Sequence, residues 1–545
     1  TYQGTTLGVD AWGTVAQATI YASANPTTPL GRLTYATDGT ITDLGGRVFR
    51  CTGCANSLGT GLQTSAGSSQ LPGEGSATLS VASLPTTPQV ASVTNDGVRW
   101  SYAYTNIRNA TTLSTYLYDR LTVTGPNGYN TAYEMRDEGQ RNVISRITDS
   151  LGRQTSYDFD ASYRVTRVVS PEGNEASVVY DDFGNITSRT VKPKLGSGLA
   201  VIAESAYFDP AGCDTVTMGP LCYRPVWFRD ARGKQTDFLY NTAGQLTEKT
   251  DPADVNGIRR KTYIEYQTST SGVSRQRVVR ICGGTTCGTS AEIRTEYEYW
   301  GNTLLPSVER RIDGVRGETL ETRYTYDGAG RQLSVDGPLL GTDDAKYFRY
   351  DVYGRKTWEI GPLGANGLRN ARQFTYRNSD DKVLSSEQGT VTDPSSPTLT
   401  VFTRTDLSYD NHRNPTTETV SASGTTHTLV QRSYDDSGRV ECEARRMNPA
   451  AFTALPAACT LGSEGSFGPD RIMHNIYDAA GQLLVVQRAY GTTLQQAYAT
   501  YTYTPNGKRA SVTDAKGNRA ELRYDGHDRQ NRLVLPSKTT PGSVN

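Results

Sequence analysis

Net charge of either sign is missing from this chain: 56 Lys and Arg stand against 56 Asp and Glu over 545 residues. The basic excess that phosphate contacts call for is absent, so nucleic acid is not an expected partner. Long apolar runs are missing too. The longest aliphatic stretch is LLVV at Leu483 to Val486, far short of the roughly 20 apolar residues of a membrane-spanning helix, and no membrane span is expected. Histidine is scarce: the four, His412, His427, His474 and His527, show no metal-like spacing. The chain contains no GxxxxGK(S/T), HExxH, GxSxG or strand-linked GxGxxG, so phosphate cradles, zinc-protease helices and nucleophile elbows are excluded in recognisable form. No cofactor and no metal are expected. A leader is also lacking, since Thr1 is not followed by a charged-then-apolar segment; any targeting segment is expected to have been removed or never included.

The length exceeds what one hydrophobic core organises, which leaves several ordinary domains or one elongated repeat architecture. Apolar residues make up 36% of the chain and glycine numbers 54, a balance that favours sheets over helical bundles. Tyrosine, at 33 against 11 Phe and 5 Trp, packs its ring while keeping its hydroxyl near water, as a sheet with one wet face requires.

Internal periodicity decides the architecture. A tyrosine-led signature recurs at Tyr180 (YDDFGN, with Asp181 and Gly184), Tyr240 (YNTAGQ, with Gly244) and Tyr326 (YDGAGR, with Asp327, Gly330 and Arg331). It returns at Tyr350 (YDVYGR, with Asp351, Gly354 and Arg355), Tyr434 (YDDSGR, with Asp435, Gly438 and Arg439), Tyr477 (YDAAGQ, with Asp478 and Gly481) and Tyr503 (YTPNGK). Degenerate copies start at Tyr157, Tyr207, Tyr409 and Tyr524. Stretches such as ETRYTYD before the signature and RVECEARR after it alternate with the period of a strand. The Asp bonds amides of the turn and the glycine supplies the positive φ that closes it. A second turn, as in SPEGN at Ser170 or DAKGN at Asp514, ends each unit. The repeat is therefore a β-hairpin, and about 30 consecutive antiparallel strands are too many to lie flat. The expected fold is all-β: a long antiparallel sheet of tandem hairpins that coils, with one tyrosine per unit forming a ladder that holds register. Basic residues after the turn glycine, Arg331, Arg355, Arg439 and Lys508, leave two readings open: a cross-strand charge ladder with the aspartates, or, if they face one side without partners, a basic lining that grips an acidic cargo.

The recurrent YDxxGR with a following xGN turn resembles the RHS/YD-repeat family from about Ser101 to the C-terminus. That resemblance implies a hollow, cocoon-like shell in large secreted or surface proteins of bacteria and related animal receptors. In toxin members it implies a shell enclosing a C-terminal effector. The family's DPxGLxxG-type stretch has no counterpart, and DPAG at Asp209 reads as a turn. Cleavage, payload and end plug are unsupported.

Residues 1 to 100, rich in Thr, Ser, Gly and Pro, read as a β-rich N-terminal segment or cap, and 101 to 545 as the repeat sheet, expected to continue past Asn545. Val391 to Thr400 reads as a surface loop, and Asn448 to Asp470 as an insertion of the kind in which a repeat protein carries binding function. Eight cysteines fall as sequence neighbours: Cys51 with Cys54, Cys213 with Cys222, Cys282 with Cys287, Cys442 with Cys459. Four local bridges fit an oxidising compartment. Reduced thiols, or a zinc site using the CTGC at Cys51, remain the alternatives. The leading function is a non-enzymatic shell, extracellular or at the cell surface, that encloses or displays a polypeptide or joins other chains of its assembly. The second is a carbohydrate-binding adhesin using Trp300 or Trp358. The third is a polysaccharide-degrading enzyme built on carboxylates such as Asp181 with Asp182, Asp343 with Asp344, or Asp380 with Asp381.

Overall fold

The computed structural model describes side chains over residues 92–544, apart from 95–96, 107–117, 137–142, 211–212, 214–218, 283–286, 288–291 and 541; before residue 92 it defines strand pairings only. The Cys51 and Cys54 pair, and part of the turn after Asp209, lie outside the described residues.

Val98–Thr105 pairs with Arg120–Thr124, the short pair Arg108–Asn109 and Tyr116–Leu117 standing apart. From Arg120–Thr124 to Gln530–Val534 the strands form a single antiparallel sheet in which each pairs with its neighbours in sequence. No α-helix occurs among the described residues, only single 3₁₀ turns such as Pro220–Tyr223 and Pro449–Ala451. Alternation drives strand formation, as in Glu318–Tyr326 (ETLETRYTY) and Gln496–Tyr503 (QAYATYTY). The register slips just before the signature tyrosine, between Thr325 and Tyr326, Arg349 and Tyr350, Ser433 and Tyr434, and Ile476 and Tyr477. A bulge bends its strand and increases the local twist. One bulge per repeat at the same place bends the sheet the same way each time, and the sheet coils.

The coil meets itself. Asn127 donates to the Ser437 hydroxyl at 3.1 Å, Arg153 to Gln482 at 2.9 Å, and His527 Nε2 lies 3.0 Å from the Ala200 carbonyl. The Glu172 amide donates to Asn506 at 2.9 Å, and the Lys194 amide to the Gly526 carbonyl at 2.8 Å. These contacts join the second-turn edge of early repeats to the tyrosine-turn edge of late ones. Between Arg153 and Gln482 run 23 strands, Gln154–Phe159 to Arg471–Tyr477. Between Glu172 and Asn506 the run, Glu175–Tyr180 to Gln496–Tyr503, is again 23. At ~4.8 Å per strand one revolution is about 110 Å around, hence about 35 Å across between backbones. The sheet is thus a spiral whose successive coils touch through side chains and one backbone bond, and its ladder does not close into a barrel.

Buried apolar residues are few and gathered in patches. Ile360, Ala371 and Val391 pack with Tyr347, Trp358 and Leu399; Cys442, Ala444, Ala458 and Ile472 pack with Leu461 and Tyr490. Between the patches, cross-strand ion pairs line the sheet. Lys261 meets Glu248 at 2.6 Å, and Arg310 lies between Glu298 and Glu321, each at 2.5 Å. Arg404 lies between Glu387 and Asp406, and Arg432 between Glu418 and Glu443. This pairing accounts for the zero net charge.

Candidate functional site

Each repeat turn is organised by its aspartate. In Asp327 to Arg331, Asp327 Oδ1 accepts from the amides of Ala329 and Arg331, and Oδ2 accepts from Arg331 Nε at 2.6 Å. Gly330, at φ 79°, brings the chain back so that its amide donates to the Asp327 carbonyl. The same geometry recurs at Asp351 with Arg355, Asp435 with Arg439 and, with glutamine in place of arginine, at Asp478 with Gln482. Asp181 does likewise with Asn185, and the aspartate's place at Asn241 is taken by an amide bonded to Gln245.

The signature arginine therefore pairs first inside its own turn, four residues from its aspartate, rather than as a cross-strand ladder, Arg355 alone of Arg331, Arg355 and Arg439 adding an ion pair to a later turn at Asp381. What it does across strands is different. Arg331 Nη1 donates to the Asp351 carbonyl of the next repeat, and its guanidinium covers the Tyr350 ring at 5.1 Å. Arg439 repeats this on Asp478 and Tyr477, and Arg164 on Asp181 and Tyr180. Guanidinium over an aromatic face is attractive in its own right. The tyrosines complete the link: Tyr326 donates to the Pro306 carbonyl, Tyr434 to Pro415, Tyr477 to Val440 and Tyr503 to Leu483. In every case the acceptor is the residue paired opposite the previous repeat's aromatic residue, as Pro306 is opposite Tyr299. Burial, the largest influence, raises the hydroxyl pKa of Tyr326, Tyr434 and Tyr477 above 10.0.

Three copies of the unit escaped the sequence signature. Tyr266, Tyr299 and Tyr376 donate to the carbonyls of Leu246, Gln276 and Lys356. Their turns carry no YDxxG, yet they fill the gaps from Tyr240 to Tyr326 and from Tyr350 to Tyr409, so the spacing of tyrosines alone holds the signal. Two degenerate copies are also displaced. The bulge and paired position fall on Phe159 rather than Tyr157, and on Phe208 rather than Tyr207. The tail closes a second turn absent from the sequence reading: the Ser537 amide donates to the Ser543 carbonyl, and Pro536 bridges Val544.

Cys213 is bonded to Cys222, Cys282 to Cys287, and Cys442 to Cys459. The last bridge anchors the insertion after Arg446, a residue that sequence reasoning did not single out. Arg446 and Asp470 side chains are only 3% and 4% exposed and meet at 2.7 Å. Arg446 also donates to the carbonyls of Thr460, Pro456 and Ala457 and to Gln431, so the insertion is wrapped around one guanidinium. Burial pushes the Asp470 carboxyl up, but Arg446 and the amides of Met447 and Gly462 outweigh it and hold it below the usual carboxylate range. Beside the insertion opens a cleft of about 790 Å³, bounded by Phe467, Met473 and Leu494 and by Arg445, Arg471 and Arg488.

The adjacent carboxylates serve different neighbours. Asp380 is held by Arg377 at 2.5 Å while Asp381 reaches Arg355 at 3.0 Å. Asp344 accepts from the Leu339 amide and confronts Asp336, whose carboxyl is raised first by burial and then by the Asp344 charge. Trp358 is packed on the Ile360 cluster, and Trp300 lies half-buried with its ring 5.8 Å from that of Tyr326. Neither is the open, coplanar platform that sugar stacking needs. His412 and His527 sit in repeat turns. No three His, Cys, Asp or Glu side chains gather at metal-binding distance, and no helix is long and apolar enough to cross a membrane, among the described residues.

Comparison with known proteins gives one sequence match, the RHS Repeat family over residues 142–175. No curated protein matches. A crystal structure of TcdB2-TccC3 without hypervariable C-terminal region is 13% identical with a TM-score of 0.46, covering 98% of this chain and 30% of that one. One of TcdB2-TccC3-TEV is 13% identical with a TM-score of 0.46, covering 99% and 29%. A Photorhabdus luminescens Tc holotoxin pore structure is 13% identical with a TM-score of 0.23, covering 86% and 31%. The chain thus spans under a third of the length of these structures.

Proposed function

We propose that this RHS-repeat chain is a section of wall in a non-enzymatic extracellular shell, and that the shell screens an enclosed polypeptide. One observation carries the reading: after 23 strands the two edges of the ribbon complement each other, turn against turn. The turn ends of residues 127–200 lie against those of residues 437–527, so that where the coils overlap wall meets wall around a lumen. At about 35 Å between opposite backbones, less ~10 Å for side chains, the bore is wide enough for an extended or partly folded chain. The wall acts sterically, and its signature residues are all spent on turns and on joining repeats. Bonded cysteines suit a secreted setting. A glycan-binding adhesin is not favoured, because Trp300 and Trp358 are engaged in packing.

Electron cryo-microscopy of the intact chain tests the wall directly. An annular cross-section with a low-density centre is expected. A filled rod, or separate compact bodies, would remove the reading.

A further inference from the structure

Many arginines on this sheet are neutralised by ion pairs, while single exposed ones such as Arg277, Arg311 and Arg372 carry none among the described residues. Even Arg280 and Arg294, directly opposite one another, are flanked by Glu265, Glu292 and Glu296. Beside the insertion three such arginines are gathered on one cleft. Arg445 and Arg471 are paired across adjacent strands, both exposed, and neither makes an ion pair or side-chain hydrogen bond among the described residues. One strand on, Arg488 lies opposite Met473 with its guanidinium 3.5 Å from the Tyr498 ring centroid and no carboxylate beside it. The acids nearby are already committed: Glu443 to Arg432 at 2.9 Å, and Asp470 to the buried Arg446. Like charges placed opposite each other on a sheet cost free energy. Here the cost falls on the floor of a cleft of about 790 Å³ whose rim leaves Phe467 65% and Leu494 77% exposed.

We propose that this cleft docks an acidic peptide segment, its carboxylates on Arg445 and Arg471 and an apolar side chain between Phe467 and Leu494. Charge complementarity selects an anion, since the cleft carries three cations without counter-charges. The apolar rim selects a polypeptide over a polyphosphate or sulfated sugar, neither of which has a side chain to bury there. Planar guanidinium groups bind carboxylates in a two-pronged geometry, which gives the site direction as well as charge. The proposal does not depend on the coil enclosing anything: a segment of a neighbouring protein outside the wall satisfies the same chemistry.

Fluorescence anisotropy on the intact protein tests it, using a labelled eight-residue peptide of alternating Glu and Leu with one Trp. Saturable binding is expected, weakening as salt rises from about 0.05 M to about 0.5 M. The double variant Arg445→Gln with Arg471→Gln should weaken it about tenfold or more. Leu494→Ser should weaken it about threefold without changing the salt dependence. All three side chains are exposed, so an unchanged melting temperature checks that the variants fold. Absence of saturable binding at low salt overturns the proposal. So does an affinity indifferent to the arginine variants, or tighter binding of inorganic polyphosphate or a heparin fragment that ignores Leu494→Ser.

Discussion

Asn506 and Glu172 lie 334 residues apart in sequence and exchange two hydrogen bonds: the Glu172 amide donates to Asn506 Oδ1, and the Asn506 amide to Glu172 Oε2. Around them Asn506 Nδ2 donates to Asn174 and Asp528, and Lys194 forms ion pairs with Glu172 at 3.0 Å and Asp528 at 2.6 Å. This cluster fastens one coil to the next. Burial acts against the Lys194 charge, but Asp528 and Glu172 outweigh it and raise its pKa.

Lys194→Met should leave those two carboxylates facing each other across the seam. A destabilisation of ~2 kcal/mol is expected, less than for a fully buried pair because the site is partly wet. Denaturant titration measures it, and scattering should show a larger radius of gyration as the coils part. A coil of unchanged size and stability would mean that the seam does not hold the spiral together.

The tyrosine ladder predicts a distinctive alkaline response. Ladder hydroxyls such as Tyr326 and Tyr434 have folded pKa values raised by burial, so their stabilisation is complete below about pH 10 and is lost as pH rises through the raised values. Absorbance near the phenolate band should show these residues ionising together with unfolding, after the exposed tyrosines. Tyr434→Phe, which leaves the Pro415 carbonyl without its donor, should cost about 1 kcal/mol. A smooth titration with no unfolding step would count against the ladder.

Arg446 and Asp470 predict an acid response confined to the insertion. Asp470 is depressed in the folded state, so its contribution is present above the ordinary carboxylate value of ~3.9 and is lost as pH falls through the depressed value. Asp470→Ala strands a buried guanidinium and should destabilise by about 3 to 5 kcal/mol. Hydrogen exchange, followed by peptide, should show the loss at 447–470 first. Uniform loosening of all repeats would contradict the hub role of Arg446.

Asp336 predicts a gain. Its carboxyl is raised by burial and by Asp344, and Oδ1 of both is enclosed without a hydrogen-bond partner. A raised acid stabilises below its unfolded value and is a cost once pH has risen through the folded one. Asp336→Asn should therefore stabilise at pH 7 by about 0.5 kcal/mol, and not at pH 3. Thermal melts at the two pH values separate this from a simple packing change.

Legibility in the sequence followed locality. The hairpin unit, the aspartate-capped turn and the positive φ at Gly330 or Gly438 all arise within about six residues, where side chain and backbone contact is dictated by spacing alone. The copies at Tyr266, Tyr299 and Tyr376 were missed because their turns close by other means. Their tyrosine spacing was the one sequence signal, and the hydroxyl's bond to a carbonyl of the adjacent strand identifies them in the structure.

The chain's own letters determined an all-β ribbon of repeated hairpins too wide to stay flat, because period-two patterning and turn chemistry act between neighbours. Tertiary structure alone decided how far the ribbon turns before it meets itself, which arginines join repeats and which stand unpaired, and that Arg446 organises the insertion. Those outcomes depend on small bends summed over 23 strands and on groups hundreds of residues apart, and no local pattern encodes such a sum.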